Sequence, residues 1–260
     1  MNEKTALITG GASGIGRKTA FKLAEKGFSL AINFRKSEES ALSLANELTN
    51  KFGTKNIALQ GDVANMDDCT RIIEQALLSY SAIDVLVHNA GPYYHERKKM
   101  TDYSFDEWNY MINGNLSGVF YLSKLVLPMM RERKWGRIIT LGFDRAETAP
   151  GWVYRSAFAA AKSGLVSLTR TIALEEAQFG ITANMVCPGD ITNEWKERSI
   201  NESMVSGQIL TPVGRPGTGE DISRVIAFLV DENSSFLTGS VIPVTGGADV
   251  LGKFFKTENP

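Results

Sequence analysis

"TALITGGASGIG", residues 5–16, joins three kinds of local structure in one short run. Thr5 to Thr9 is apolar or β-branched at every position, as expected of a strand covered on both faces. Gly10, Gly14 and Gly16 then mark a turn, and from Ile15 a segment of helical periodicity continues to Lys26. A strand that passes through a glycine turn into a helix aims free backbone N–H groups at one point, and the helix dipole makes that point attractive to an anion. Alone, a glycine triplet fits a plain tight turn equally well.

The same alternation fills the rest of the chain. After "TALIT" come "SLAINF" (29–34), "NIALQG" (56–61), "DVLVHN" (84–89), "RIITLG" (137–142), "ITANMVC" (181–187) and "SVIPVT" (240–245), which read as seven strands in all. Between them, helical periodicity predicts helices at 15–26, 38–51, 67–80, 105–132, 152–178 and 220–230. Mostly apolar strands alternating with helices predict an α/β fold: a doubly wound, parallel, seven-stranded Rossmann-type sheet with helices on both faces. No linker, repeat or low-complexity segment interrupts it, so residues 1–260 are expected to form a single dinucleotide-binding domain. "TPVGRPGTG" at 211–219 reads as a surface connection, and the polar, weakly periodic stretch before it suggests a substrate lid near 193–215.

Composition narrows the function classes. With 28 basic and 29 acidic residues, formal charge −1, the chain carries no footprint for nucleic acid or an anionic membrane. No apolar run reaches the length of a membrane span, and "MNEKTALITG" has too short an apolar stretch for a signal peptide, so a cytoplasmic protein is expected. Cys69 and Cys187 match no metal or redox spacing; packed thiols, no disulfide and no metal site are expected.

"TGGASGIG" (9–16), "NAG" (89–91), "NLSG" (115–118), "AAAKSG" (159–164), "NMVCPGDI" (184–191) and "FLTGSVIPVTGG" (236–247) together resemble the short-chain dehydrogenase/reductase family, in the family's order and over nearly the whole chain. The chain is most similar to the 3-oxoacyl-acyl-carrier-protein reductases, where "GRIITLG" (136–142) also belongs. The resemblance implies that Gly10, Ser13, Gly14, Ile15 and Gly16 line a pyrophosphate and that Asp62 and Val63 meet the adenine. It places Asn89, Ala90 and Gly91 beneath the adenosine and nicotinamide, with Pro188, Gly189 and Ile191 on the nicotinamide side. Charge then bears on the choice of nucleotide. Asn33, rather than a carboxylate, stands where a ribose 2'-hydroxyl would be bound, and Arg35, Lys36 and Ser37 follow, so NADP(H) is favoured over NAD(H). The bland alternative for Arg35 and Lys36 is a solvated turn.

The reacting end departs from the family. The resemblance implies a tyrosine that protonates the carbonyl oxygen, a lysine four residues later that binds the ribose, a serine that bonds the same oxygen and an asparagine that holds a relay water. Asn115 and Lys162 match. The tyrosine position is Phe158 and the serine position is Phe143. Neither phenylalanine donates a proton, and loss of a positioned general acid costs about 10² to 10⁴ in rate. Tyr154 is a candidate replacement, since the related enoyl-acyl-carrier-protein reductases carry their tyrosine seven before the lysine. It lies eight before Lys162, about 80° past two full turns, and meets the lysine's face only if it precedes the helix. Tyr93, Tyr94, His95 and Asp144 flank the same region and read first as surface or packing residues.

Three functions stay open. The first is an NADP(H)-dependent reductase of a small carbonyl or acyl-thioester substrate with an unconventional donor, including an enoyl-thioester reductase that uses Tyr154. The second is a nucleotide-binding sensor or partner protein without turnover, and the third a scaffold without cofactor, against which the intact glycine turn speaks. Small residues at Ala157, Ala159, Ala160, Ala161 and Gly164 let another backbone come close, and the resemblance implies a homotetramer, with a dimer second.

Overall fold

All seven runs are strands of one parallel sheet: β1 (Thr5–Ile8), β2 (Ser29–Phe34), β3 (Asn56–Gln60), β4 (Val85–His88), β5 (Gly136–Leu141), β6 (Ile181–Pro188) and β7 (Val241–Val244), in the order β3-β2-β1-β4-β5-β6-β7. The structure, a computed structural model, describes residues 4–208, 210–249 and 251. The expected domain span and the expected lid include positions outside the described residues, namely 1–3, 209, 250 and 252–260.

The expectation of strands covered on both faces holds, and the period of two explains how. In β1, Ala6 and Ile8 join one core while Leu7 joins the other, and in β2 Leu30 and Ile32 divide from Ala31 in the same way. The register Ala6↔Leu30, Leu7↔Ala31, Ile8↔Ile32 keeps each set on its own face. The first core is closed by α1 (Gly14–Glu25), α2 (Glu38–Phe52) and α8 (Gly219–Leu229). The second is closed by α3 (Met66–Ser79), α5 (Gly118–Arg133) and α6 (Ser156–Glu176). Leu7, Ile8, Leu30, Ile32 and Leu86 are all fully buried, each contributing about 1.5–3 kcal/mol of apolar transfer.

Two helices differ from the periodicity. The segment expected as one helix over 105–132 is divided: α4 (Phe105–Ile112) passes through a π-turn at Asn113–Ser117 before α5 begins. Asn115 is responsible in part. Its Nδ2 donates to the carbonyl of Met111, four residues back, at 3.1 Å and to that of Pro92 at 2.8 Å, so the side chain competes with the backbone ladder. The helix expected from 152 begins instead at Ser156, because Tyr154 sits at φ +66°, outside helical space. The stretch expected as a lid is folded in place: a single turn at Asn193–Lys196 buries Trp195, and α7 (Ile200–Met204) starts with the Ile200 N–H donating to the Glu220 carboxylate at 2.8 Å.

Gly118 shows how closely the widened turn is held. A Cβ there would lie 2.2 Å from the Val63 backbone oxygen, which no side-chain rotation relieves. Gly118→Ala should therefore lower stability by about 1–3 kcal/mol, although alanine is the better helix former by ~1 kcal/mol. A denaturant midpoint equal to or above that of the natural protein would contradict the packing described.

Candidate functional site

The strand order reverses at β1, which is flanked by β2 and β4, so the chain leaves the carboxyl ends of β1 and β4 toward opposite faces and a crevice opens between them. Two asparagines fix its floor. Asn33, at the end of β2, accepts the Gly10 N–H at 3.3 Å and donates to the carbonyls of Gly61 and Leu59 at 3.0 and 3.3 Å. Asn89, just past β4, donates to the carbonyls of Thr9 and Gly10 at 2.9 Å each, and the Ala90 N–H donates to Thr9 Oγ1 at 3.0 Å.

Gly10, Ser13, Gly14, Ile15, Asn33, Arg35, Asp62, Val63, Asn89, Ala90 and Gly91 line one groove of about 480 Å³, as the motifs suggested. Gly61 lines it too, and Pro92, Tyr110 and Lys196 complete it. The sequence offered no signal for them, since Tyr110 and Lys196 come from elements packed onto the turn from outside the motifs. Gly16 is buried behind the groove at the start of α1. Asn33 has a different task from the expected one. It is 2% exposed with its amide committed to backbone groups, so from its place in the groove lining it holds the turn. Ser37 precedes α2 as an exposed cap and lies outside the groove lining. Arg35 stands half-exposed at the groove wall with its guanidinium 3.5 Å from Asp62 and 5.7 Å from the Tyr110 ring centre, while Tyr110 Oη donates to Asp62 at 3.2 Å.

Pro188 ends β6. Gly189 and Ile191, which follow it, line a separate cavity of about 60 Å³ with Thr211, Val213 and Arg215. The 193–204 segment instead reaches the glycine turn. Gly14 has the left-handed φ of +58°, and its N–H donates to the Glu197 carboxylate at 2.6 Å. An anionic oxygen thus sits on the amide at the start of α1, where the dipole favours one.

The reacting end is aromatic. Phe143 is 3% exposed, with its ring centre 5.0 Å from Trp152 and 6.1 Å from Phe158. Phe158 also meets Trp152 at 6.0 Å and, edge to face, Tyr93 at 5.0 Å. Leu251 packs on the same cluster. Tyr154 takes no part in these ring contacts: its ring lies 6.0 Å from the Arg97 guanidinium, and its carbonyl accepts from Arg155 at 2.8 Å.

Lys162 lies beneath the cluster. It is 5% exposed, its ammonium donates to the Leu141 carbonyl at 2.7 Å, and it stands 5.7 Å from the Phe158 ring centre; burial pushes it down to about 8. His88, buried with Nε2 3.1 Å from Ser123 Oγ, is pushed down to about 3 by burial and by the Lys162 charge. The Cys187 thiol, also buried, is pushed up to about 12, chiefly by burial, and is neutral at physiological pH. Asn115 Oδ1 is buried with no hydrogen-bond partner among the described residues and faces Gly91, where a Cβ would come within 2.3 Å of it. Asp144 is buried, with a carboxylate oxygen 3.8 Å from Arg145.

Comparison with known proteins accords with this geometry. A family model described as enoyl-(acyl carrier protein) reductase matches residues 10–249. The chain is 55% identical to the Bacillus subtilis protein named "Putative oxidoreductase YtkK", over 95% of this chain and 97% of that one. It is 35% identical to the 3-oxoacyl-[acyl-carrier-protein] reductase FabG of Staphylococcus aureus, over 94% and 97%. Among solved structures it is similar to the "putative 3-oxoacyl-reductase" of Bacillus thuringiensis, with TM-score 0.90 and 47% identity, covering 96% of this chain and 99% of that one.

The buried imidazole makes stability depend on acid. Between about 6.5, its ordinary value, and about 3 the unfolded chain binds a proton that the native state refuses, so stability falls as the pH falls through that window. His88→Gln, which keeps a polar partner for Ser123, should flatten the slope of the urea midpoint between pH 6.5 and 4. An unchanged slope would show that His88 is not the group refusing the proton.

Proposed function

The chain belongs to the short-chain dehydrogenase/reductase family, and on that premise we propose that it is an NADP(H)-dependent reductase of acyl-thioester substrates whose proton donor is not the family's usual tyrosine. The observation that carries this reading is the groove at the strand-order reversal, lined by the glycine turn, Asp62–Val63 and Asn89–Gly91 and bordered through Pro92 and Tyr93 by the aromatic cluster. The groove suits a dinucleotide, because the Gly14 N–H already takes an anionic oxygen from Glu197. Bound there, a reduced nicotinamide nucleotide would supply hydride.

The chain's own residues would do the rest. Gly14 and Ile15 at the start of α1 would hold the diphosphate, and Asp62 with Tyr110 would border the base. Arg35, at the wall with no carboxylate at position 33, would favour a 2'-phosphate by a charge-assisted bond. Lys162 would reach ribose hydroxyls by leaving the Leu141 carbonyl and emerging from beneath the rings. Phe143, Trp152 and Phe158 would exclude water and present an apolar wall to an acyl chain. The names of the similar FabG and B. thuringiensis proteins support 3-oxoacyl thioesters as the first substrates to try, and the name of the matching family model supports enoyl thioesters as the second. The burial of Phe143 at 3% exposure favours one rival reading, a nucleotide-binding protein without turnover.

No helix among the described residues is long and apolar enough to cross a membrane; similarity to FabG-type reductases supports the cytoplasm as the compartment. Exposed Phe120 on α5, Leu174 on α6 and Phe228 on α8, with Phe236 before β7, support assembly through these helices and the sheet's last strand, as a homotetramer first and a dimer second. Sedimentation at micromolar concentration should return a tetramer, and a monomer alone would remove the assembly.

Fluorescence titration should show NADPH binding more tightly than NADH. Arg35→Ala should cost NADPH roughly tenfold, about 1.4 kcal/mol, and leave NADH nearly unchanged. With NADPH, the natural protein should turn over acetoacetyl-CoA or crotonyl-CoA. NADPH binding with turnover only in Phe143→Ser/Phe158→Tyr would establish the rival reading, and failure to bind either nucleotide would remove both.

A further inference from the structure

We propose that Tyr93 is the proton donor of this site and that Arg155 holds its oxygen in place; the proposal rests on the reductase reading above. Tyr93 is the tyrosine whose ring lies edge-on against Phe158, 5.0 Å between centres at 87°. It comes two residues after Gly91, next to Pro92 of the groove wall, and is 36% exposed, so a substrate can reach it. Tyr154, the other candidate, turns toward Arg97 instead.

Arg155 makes this phenol unlike an ordinary surface tyrosine. It is 7% exposed, and its Nε donates to Tyr93 Oη at 2.6 Å. Its other nitrogens donate to the carbonyls of Glu96 and Tyr154 at 2.8 Å each and of His95 at 3.1 Å. These four acceptors are uncharged, and among the described residues no carboxylate is paired with Arg155. A nearly buried cation without a counter-charge is costly, and a negative charge appearing beside it relieves that cost. The same bond orients the hydroxyl. Its oxygen accepts from Arg155, and no acceptor among the described residues takes its proton.

A reduced nicotinamide nucleotide held in the groove would supply the hydride that forms the C–H bond at the substrate carbonyl carbon, being itself oxidised. The displaced C=O π pair would pass to oxygen, which would form its O–H bond with the Tyr93 proton as the phenol O–H bond breaks. The phenolate left beside Arg155 would regain a proton from water. Phe158 and Phe143 then serve as the apolar wall against which the phenol is held, and Arg155 acts as a positioning residue.

The test uses the full chain with tyrosine labelled at the ring Cζ carbon. The resonance that disappears in Tyr93→Phe is that of Tyr93, and in the nucleotide-free natural protein it should move when acetoacetyl-CoA is added. With NADPH present, Tyr93→Phe should lower kcat for acetoacetyl-CoA by about 10² or more while leaving the Kd of NADPH within twofold. Turnover in Tyr93→Phe equal to that of the natural protein overturns the assignment, as does loss seen only in Tyr154→Phe. NADPH binding without turnover in the natural protein, and with no movement of the resonance, overturns the donor while leaving the nucleotide site standing. Failure to bind NADPH overturns both.

Discussion

Two side-chain amides hold the groove open. The peptide groups where β1, β2 and β4 end have no further ladder partners, and buried backbone groups must find some. Asn33 and Asn89 supply them, bonding the glycine turn from either side, to the backbone of Gly10 and to that of Thr9. Because Asn33 lies on β2 and Asn89 directly follows β4, the turn cannot shift without breaking the end of the sheet. The groove inherits the rigidity of the sheet.

The other end of the crevice is shaped by what two phenylalanines cannot do. With no hydroxyl at positions 143 and 158, the Lys162 ammonium turns to the Leu141 carbonyl and the rings close over it with Trp152. An apolar lid over an amine raises the cost of its charge, which is why Lys162 and the imidazole of His88 beneath it both lie below their ordinary ranges. At the rim, Tyr93 meets Arg155 at the junction of a loop with the start of α6.

Strand positions and the glycine turn were legible in the sequence because a period of two and a strand-turn-helix pattern are local properties. All seven strands agree to within a residue at each end, and the groove gathered most of the residues that the motifs named. What escaped was set by contacts between distant segments. The break in the 105–132 helix depends on Pro92 lying where Asn115 can reach it, and periodicity carries no trace of that. The inward turn of Asn33 depends on Gly10 and Gly61. Tyr93 and Arg155 are 62 residues apart, and an aromatic in the loop after "NAG" looks like any surface residue until the arginine is seen beneath it.

The carboxylate on the Gly14 N–H alters what occupancy of the turn means. Glu197 belongs to the segment anchored by Trp195 and by the Ile200–Glu220 bond, and its second oxygen lies 3.9 Å from Arg17. Any incoming anion arrives by substitution, evicting a tethered competitor whose local concentration is set by the chain itself. Its apparent affinity is the difference between two anions at one amide, discounted by that tether.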